Sequence, residues 1–114
     1  MQVVNNKPKV LYADDEEENL LVFRSSFRRY YDVMISSSAK QAIELLQGNP
    51  VDVIISDQRM PEISGVEFLN DLPDKGDNIR MILSGFSDIE AVVGALNSGK
   101  VINISVSPGK KMNY

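Results

Sequence analysis

Short apolar runs at residues 10–13, 32–36, 51–56, 79–83 and 101–106 alternate with longer stretches of helical periodicity. That alternation constrains the fold more than any other feature, because strands separated by amphipathic helices return to a sheet in parallel, through right-handed crossovers. The run at 51–56, VDVIIS, is apolar on both faces, as a central parallel strand covered by helices on each side must be. The expected pattern is four βα units and a closing strand, one domain over 1–114 with its core at about 9–106 and an irregular tail at 107–114.

Between the runs, the helical segments have clear faces. The first starts near Glu16 and repeats Leu20, Phe23, Phe27 and Tyr30; Asp14 or Asp15 is its expected cap, and Glu16, Glu17 and Glu18 suit the positive end of its dipole. Serines 36–38 lead into the second, with Ala39, Ala42, Ile43 and Leu46 on one face and an end near Gly48 and Pro50. A short third helix from Ser64 carries Val66, Phe68 and Leu69, and after the turn-like LPDKGDN and the fourth strand, a helix from Ser87 or Asp88 repeats Ile89, Val92, Val93 and Leu96. The last strand is followed only by SPGKKMNY, too short and too interrupted by Pro108 and Gly109 for a stable helix. A sheet lacking that helix keeps an apolar patch on one face, expected to take another copy of the chain, a partner or a swapped element.

Composition removes whole classes of chemistry. With neither cysteine nor histidine, the 114-residue chain has no disulfide, thiol or imidazole, so a metal held here must be a hard, oxygen-liganded one such as magnesium. A net charge of -4 disfavours direct binding to nucleic acid. No apolar run approaches the roughly 18 residues of a membrane span, and the first residues lack the basic and apolar regions of a secretory signal. A cytoplasmic protein without membrane contact is expected.

The carboxyl ends of the strands are where open parallel sheets keep their chemistry. Asp57 closes the third run just before the turn at Pro61, and Asp14 and Asp15 close the first, so three carboxylates could converge on one point, where a divalent cation best relieves their repulsion. Ser84 ends the fourth run. Plainer roles exist for each: a helix cap for Asp14 and Asp15, an Asx turn for Asp57, a structural strand end for Ser84, and loop surface for Gln58, Arg59 and Met60.

Four motifs in order, ADDE at 13–16, SDQRMPEISG at 56–65, LSG at 83–85 and SP at 107–108, resemble the receiver domain of two-component response regulators, over almost the whole chain from Lys9 to Pro108. The resemblance implies an α/β, flavodoxin-like (CheY-like), doubly wound five-stranded parallel sheet of order 2-1-3-4-5, here with the last helix missing or truncated. It implies that Asp57 accepts a phosphoryl group from a histidine kinase with the help of Mg2+. Asp15 would bind the metal directly, Asp14 mainly through water, and the Arg59 backbone carbonyl would supply a further ligand. Ser84 would offer its hydroxyl to a phosphoryl oxygen, and Gly85 would let the following loop close. Such a chain assists its own phosphorylation and does not turn over a substrate, and its output passes through a partner or a missing output domain. The DQRMP turn and the segment GFSDIEAVVGALNSGKVI resemble receivers that precede hydrogenase-type transcription activators or HD-type phosphohydrolases.

The chain also departs from that pattern. Ser107 stands where receivers carry a lysine that pairs with the phosphoryl group, and a hydroxyl cannot replace a full charge. Ile104 stands where an aromatic residue reports phosphorylation, and Lys110 and Lys111 lie beyond Pro108 and Gly109. A degenerate receiver that acts by contact or dimerisation is therefore the alternative. A haloacid dehalogenase-type hydrolase fits less well, because Arg59 occupies the place of its second acid. A flavin site would need a phosphate loop where ADDEEEN stands.

Overall fold

The apolar runs become the strands of one parallel sheet, and the computed structural model describes residues 7–72, 78–84 and 103–106, with Ser84 and 103–106 described by backbone alone. In chain order the elements are β1 (Lys9–Ala13), α1 (Glu17–Phe27), β2 (Asp32–Ser36), α2 (Ala39–Gly48), β3 (Val53–Asp57), α3 (Gly65–Asp71), β4 (Ile79–Ser84) and β5 (Asn103–Val106). Every pairing is parallel and the strand order is β2-β1-β3-β4-β5, as the motifs implied. The expected helix beginning at Ser87 or Asp88 and the tail after the last strand lie outside the described residues.

Strand alternation sorts the side chains into two faces. Leu11, Ala13, Ile54 and Ile82 point to the side where α2 contributes Ala39 and Ala42, α3 contributes Phe68 and Leu69, and Leu72 follows α3, and this set is the main core. Tyr12 points to the other side and stacks on Phe23 of α1, with ring centroids 4.4 Å apart. On that second face Val53, Ile55, Met81 and Leu83 are only half-buried, and Ile79 is 43% exposed. Among the described residues, α1 is the helix that covers it.

Local chemistry explains the helix starts. Ser38 caps α2, its hydroxyl accepting the Gln41 N–H at 3.1 Å. Ser64 and Glu67 form a reciprocal capping box on α3, satisfying two N–H groups that a seven-residue helix can ill leave bare. The cap expected at Asp14 or Asp15 is not what forms. Glu16 is the N-cap of α1 and makes no side-chain cap bond: its Oε1 accepts the Asn19 side-chain amide, and the Asp14 carboxylate accepts the Glu16 N–H before the helix begins.

Two further boundaries differ from expectation. β3 starts two residues late and includes Asp57: the Asp52 carboxylate accepts the Lys9 N–H at 2.8 Å, capping the entry to β1, so the ladder proper begins at Val53. Tyr30 does not continue the face of α1. The helix ends at Phe27, whose carbonyl accepts the N–H of Tyr30 and Tyr31 in a turn toward β2, leaving Tyr30 64% exposed.

Candidate functional site

Sheet register, not loop folding, brings the aspartates together. Ala13 of β1 pairs with Ser56 of β3, so the residues that follow, Asp14 and Asp57, emerge side by side at the carboxyl edge. Asp15 comes next on the same edge. One carboxylate oxygen from each of Asp14, Asp15 and Asp57 lies within 4.8 Å of the other two. Asp14 and Asp57 are buried, at 1% and 5% exposure, whereas Asp15 is exposed and forms the open side of the cluster.

Two buried carboxylates and a third at the rim repel one another, and water can screen only the outermost. Asp14 is stabilised by donors. Its Oδ2 accepts from the Tyr12 hydroxyl at 2.6 Å and from Asn19 Nδ2 at 3.1 Å, and its Oδ1 accepts from the Glu16 N–H at 3.0 Å. Tyr12 is 5% exposed, and burial first, then its bond to Asp14, then the charges of Asp14, Asp57 and Glu16 raise its hydroxyl far above the ordinary tyrosine range. It therefore keeps its proton and remains a donor. The unfolded chain gives up that proton near pH 10, so the stability Tyr12 contributes is intact below pH 10 and is lost as pH rises above it. In metal-free buffer, the thermal midpoint of the wild type should fall more steeply above pH 10 than that of Tyr12→Phe; parallel curves would contradict this.

Behind Asp57 the chain is pinned. The Gln58 N–H donates to the Leu83 carbonyl at 3.0 Å, the Gly65 N–H donates to the Gln58 carbonyl at 2.9 Å, and Gln58 Oε1 accepts the Val66 N–H at 2.9 Å. Gln58 is thus 7% exposed and holds the start of α3, and Met60 packs on the core, which corrects the reading of both as loop surface. Both turn inward because the segment after Asp57 must reach a helix starting at Gly65. Within it, Glu62 adopts φ 72°, and the Ile63 N–H donates to the Pro61 carbonyl across it. A side chain at Gly65 would run into the Asp57 carbonyl oxygen and come within 2.9 Å of Ser56 Oγ, so α3 approaches Asp57 as closely as only glycine allows.

Of the residues singled out in the sequence, Asp14, Asp15 and Asp57 share the site, and Arg59 lies in the exposed turn two residues beyond Asp57. Ser84 ends β4, and its backbone pairs with Val106; its side chain, like that of Ile104, and Gly85, Ser107, Lys110 and Lys111 lie outside the described residues. Tyr12, Asn19 and Gln58 were not singled out for the site. Strand alternation could have found Tyr12, which must share a face with Asp14 two residues later. The donor set fits one kind of cation: three carboxylates in a chain without histidine or cysteine suit a hard divalent ion.

Comparison with known proteins agrees with this fold. The model of the response regulator receiver domain matches residues 10–105. The hydrogenase transcriptional regulatory protein HoxA of Cupriavidus necator is 35% identical over 100 residues, covering 87% of this chain and 21% of that protein. The chain thus spans about a fifth of that relative's length. A crystal structure of an uncharacterized protein from Neptuniibacter caesariensis superimposes with a TM-score of 0.84 at 32% identity, covering 93% of this chain and 81% of that one. The signal receiver domain of an HD domain-containing protein from Pseudomonas fluorescens Pf-5 superimposes with a TM-score of 0.80 at 25% identity, covering 90% and 84%. No helix among the described residues is long and apolar enough to cross a membrane. With its family model matching from the first strand to the last, and an acidic cluster at the carboxyl edge of a 2-1-3-4-5 sheet, the chain belongs to the response regulator receiver domains of two-component signalling.

Proposed function

We propose that Asp57 accepts a phosphoryl group from the phosphohistidine of a histidine kinase in a Mg2+-dependent reaction. The observation that carries this reading is the meeting of Asp14, Asp15 and Asp57 within 4.8 Å at the carboxyl edge of the sheet. An Asp57 oxygen forms the new bond to phosphorus as the phosphorus–nitrogen bond breaks, and the electron pair leaves with the imidazole. Asp14, Asp15, Asp57 and the Arg59 carbonyl would hold the Mg2+, which supplies charge neutralisation between the attacking carboxylate and the phosphoryl oxygens. The chain's own contribution is positioning: β3 fixes Asp57 at a strand end, and Gln58 and Gly65 hold the backbone behind it. Ser84, as the last residue of β4, stands at the same edge and would donate to a phosphoryl oxygen.

Ser107 and Ile104 replace the groups that sense the phosphoryl group in other receivers. Phosphorylation is therefore expected to occur and to be transmitted weakly, through a partner or an output domain elsewhere in a longer regulator. The likeness of this chain to the hydrogenase transcriptional regulatory protein HoxA supports a role in a transcriptional regulator. The test is intact mass after incubation with Mg2+ and a small phosphodonor. One phosphoryl increment that is lost when EDTA replaces Mg2+ is expected; an unchanged mass overturns the reading and leaves the contact-only receiver.

A further inference from the structure

Asp14 is held by more bonds than a metal-site carboxylate needs merely to stay in place. A carboxylate oxygen offers two lone-pair positions, and both of those on Oδ2 are taken, one by the Tyr12 hydroxyl at 2.6 Å and one by Asn19 Nδ2 at 3.1 Å. Oδ1 accepts the Glu16 N–H at 3.0 Å and, among the described residues, keeps one position open. Tyr12 cannot swing aside: its ring stacks on Phe23 at 4.4 Å, and Phe23 packs on Phe27 at 4.8 Å. The Tyr12 contact is a short, charge-assisted bond, of the kind that fixes a carboxylate's rotation as well as its position. Asn19 is itself steadied by a bond to Glu16 Oε1 at 3.0 Å.

Asp14 can therefore face a cation, or a water on it, through one oxygen only. Ca2+ takes six to eight oxygen ligands and readily uses both oxygens of a carboxylate, whereas Mg2+ demands a small octahedron and keeps several waters. We propose that Tyr12 is a positioning residue which, with Asn19, restricts Asp14 to single-oxygen ligation and so sets the preference of the site for Mg2+ over Ca2+. The inference rests on the reading that the three aspartates hold a cation. Tyr12 touches neither cation nor phosphoryl group and acts only through Asp14.

Calorimetric titration of the 114-residue chain with MgCl2 and with CaCl2 tests this, using wild type, Tyr12→Phe and Asn19→Ala. Loss of a group that orients a metal ligand costs about tenfold or more in metal affinity. For Tyr12→Phe the ratio of the two dissociation constants should move about tenfold toward Ca2+, because the freed Oδ2 helps the larger ion. Asn19→Ala should move it the same way by less. A purely structural hydroxyl would lower the thermal midpoint of both the free and the bound protein and leave the ratio alone. An unchanged ratio in both variants overturns the inference. Absence of cation binding by the wild type overturns the underlying reading of the site and this inference with it, so the wild-type titration tells the two failures apart.

Discussion

Gly65→Ala should destabilise the protein by about 2–3 kcal/mol, lowering its thermal midpoint by on the order of 10 °C, although the change adds one methyl group. The added carbon would meet the backbone of Asp57, which cannot rotate away as a side chain can, and would sit 2.9 Å from Ser56 Oγ. The Gly65 N–H bond to the Gln58 carbonyl at 2.9 Å holds the two segments at that spacing. Relief requires either α3 to retreat, opening the packing of the fully buried Phe68 and Leu69, or Asp57 to move off the cluster. The variant should consequently lose phosphoryl acceptance along with stability. Gly48→Ala supplies the contrast: an added methyl at the end of α2 meets nothing within 4 Å. Restricting the unfolded chain there should stabilise by about 0.5–1 kcal/mol. Thermal melts of the two variants should shift in opposite directions; a loss in both, or no loss for Gly65→Ala, would show that the contact with Asp57 is not what fixes this glycine.

The difference between those two glycines marks where sequence reasoning ends. Alternation of apolar runs with helical faces is a property of neighbours along the chain, so the strands and the starts of the three described helices were legible to within a residue or two. The convergence of Asp14 and Asp57 was legible because it follows from two strand ends in a parallel sheet. What stayed hidden depends on which groups meet once the chain has folded, whether near or far in sequence. Nothing local says that Gln58 turns inward to hold the Val66 N–H, or that Asp52 caps the entry to β1 and delays β3. Asp14 shows the limit best. Its residue type suits a helix cap, and its position two residues before Glu16 invites that reading, yet Tyr12 and Asn19 claim one oxygen and the Glu16 N–H the other. A hydrogen-bond network closed within residues 12–19 overrode the cap preference, and did so at the edge where the three carboxylates meet.

Asp57→Asn should raise the stability of the metal-free protein and at the same time remove its response to Mg2+ and to phosphodonors. The amide keeps the volume of the side chain and removes one charge from a cluster whose oxygens lie within 4.8 Å of one another. Two unit charges at about that spacing repel by on the order of 3 kcal/mol at the effective dielectric of a protein site. Asp14 and Asp57 are the buried pair, so water screens their repulsion least. Part of the charge is already met by hydrogen bonds, and a net gain of about 1–2 kcal/mol is the expected effect on the metal-free melt. In the wild type, Mg2+ at a hundred times its dissociation constant should add about 2.7 kcal/mol. In the variant that increment should largely vanish, and the mass gain with a phosphodonor should be absent. The combination separates the proposed role from the plainer one. An Asp57 that merely shaped the turn before Pro61 would lose turn stability on substitution, would leave the Mg2+ response to Asp14 and Asp15, and would not abolish a covalent modification. If Asp57 is the proposed acceptor, its removal should make the resting fold more stable while leaving it unable to respond.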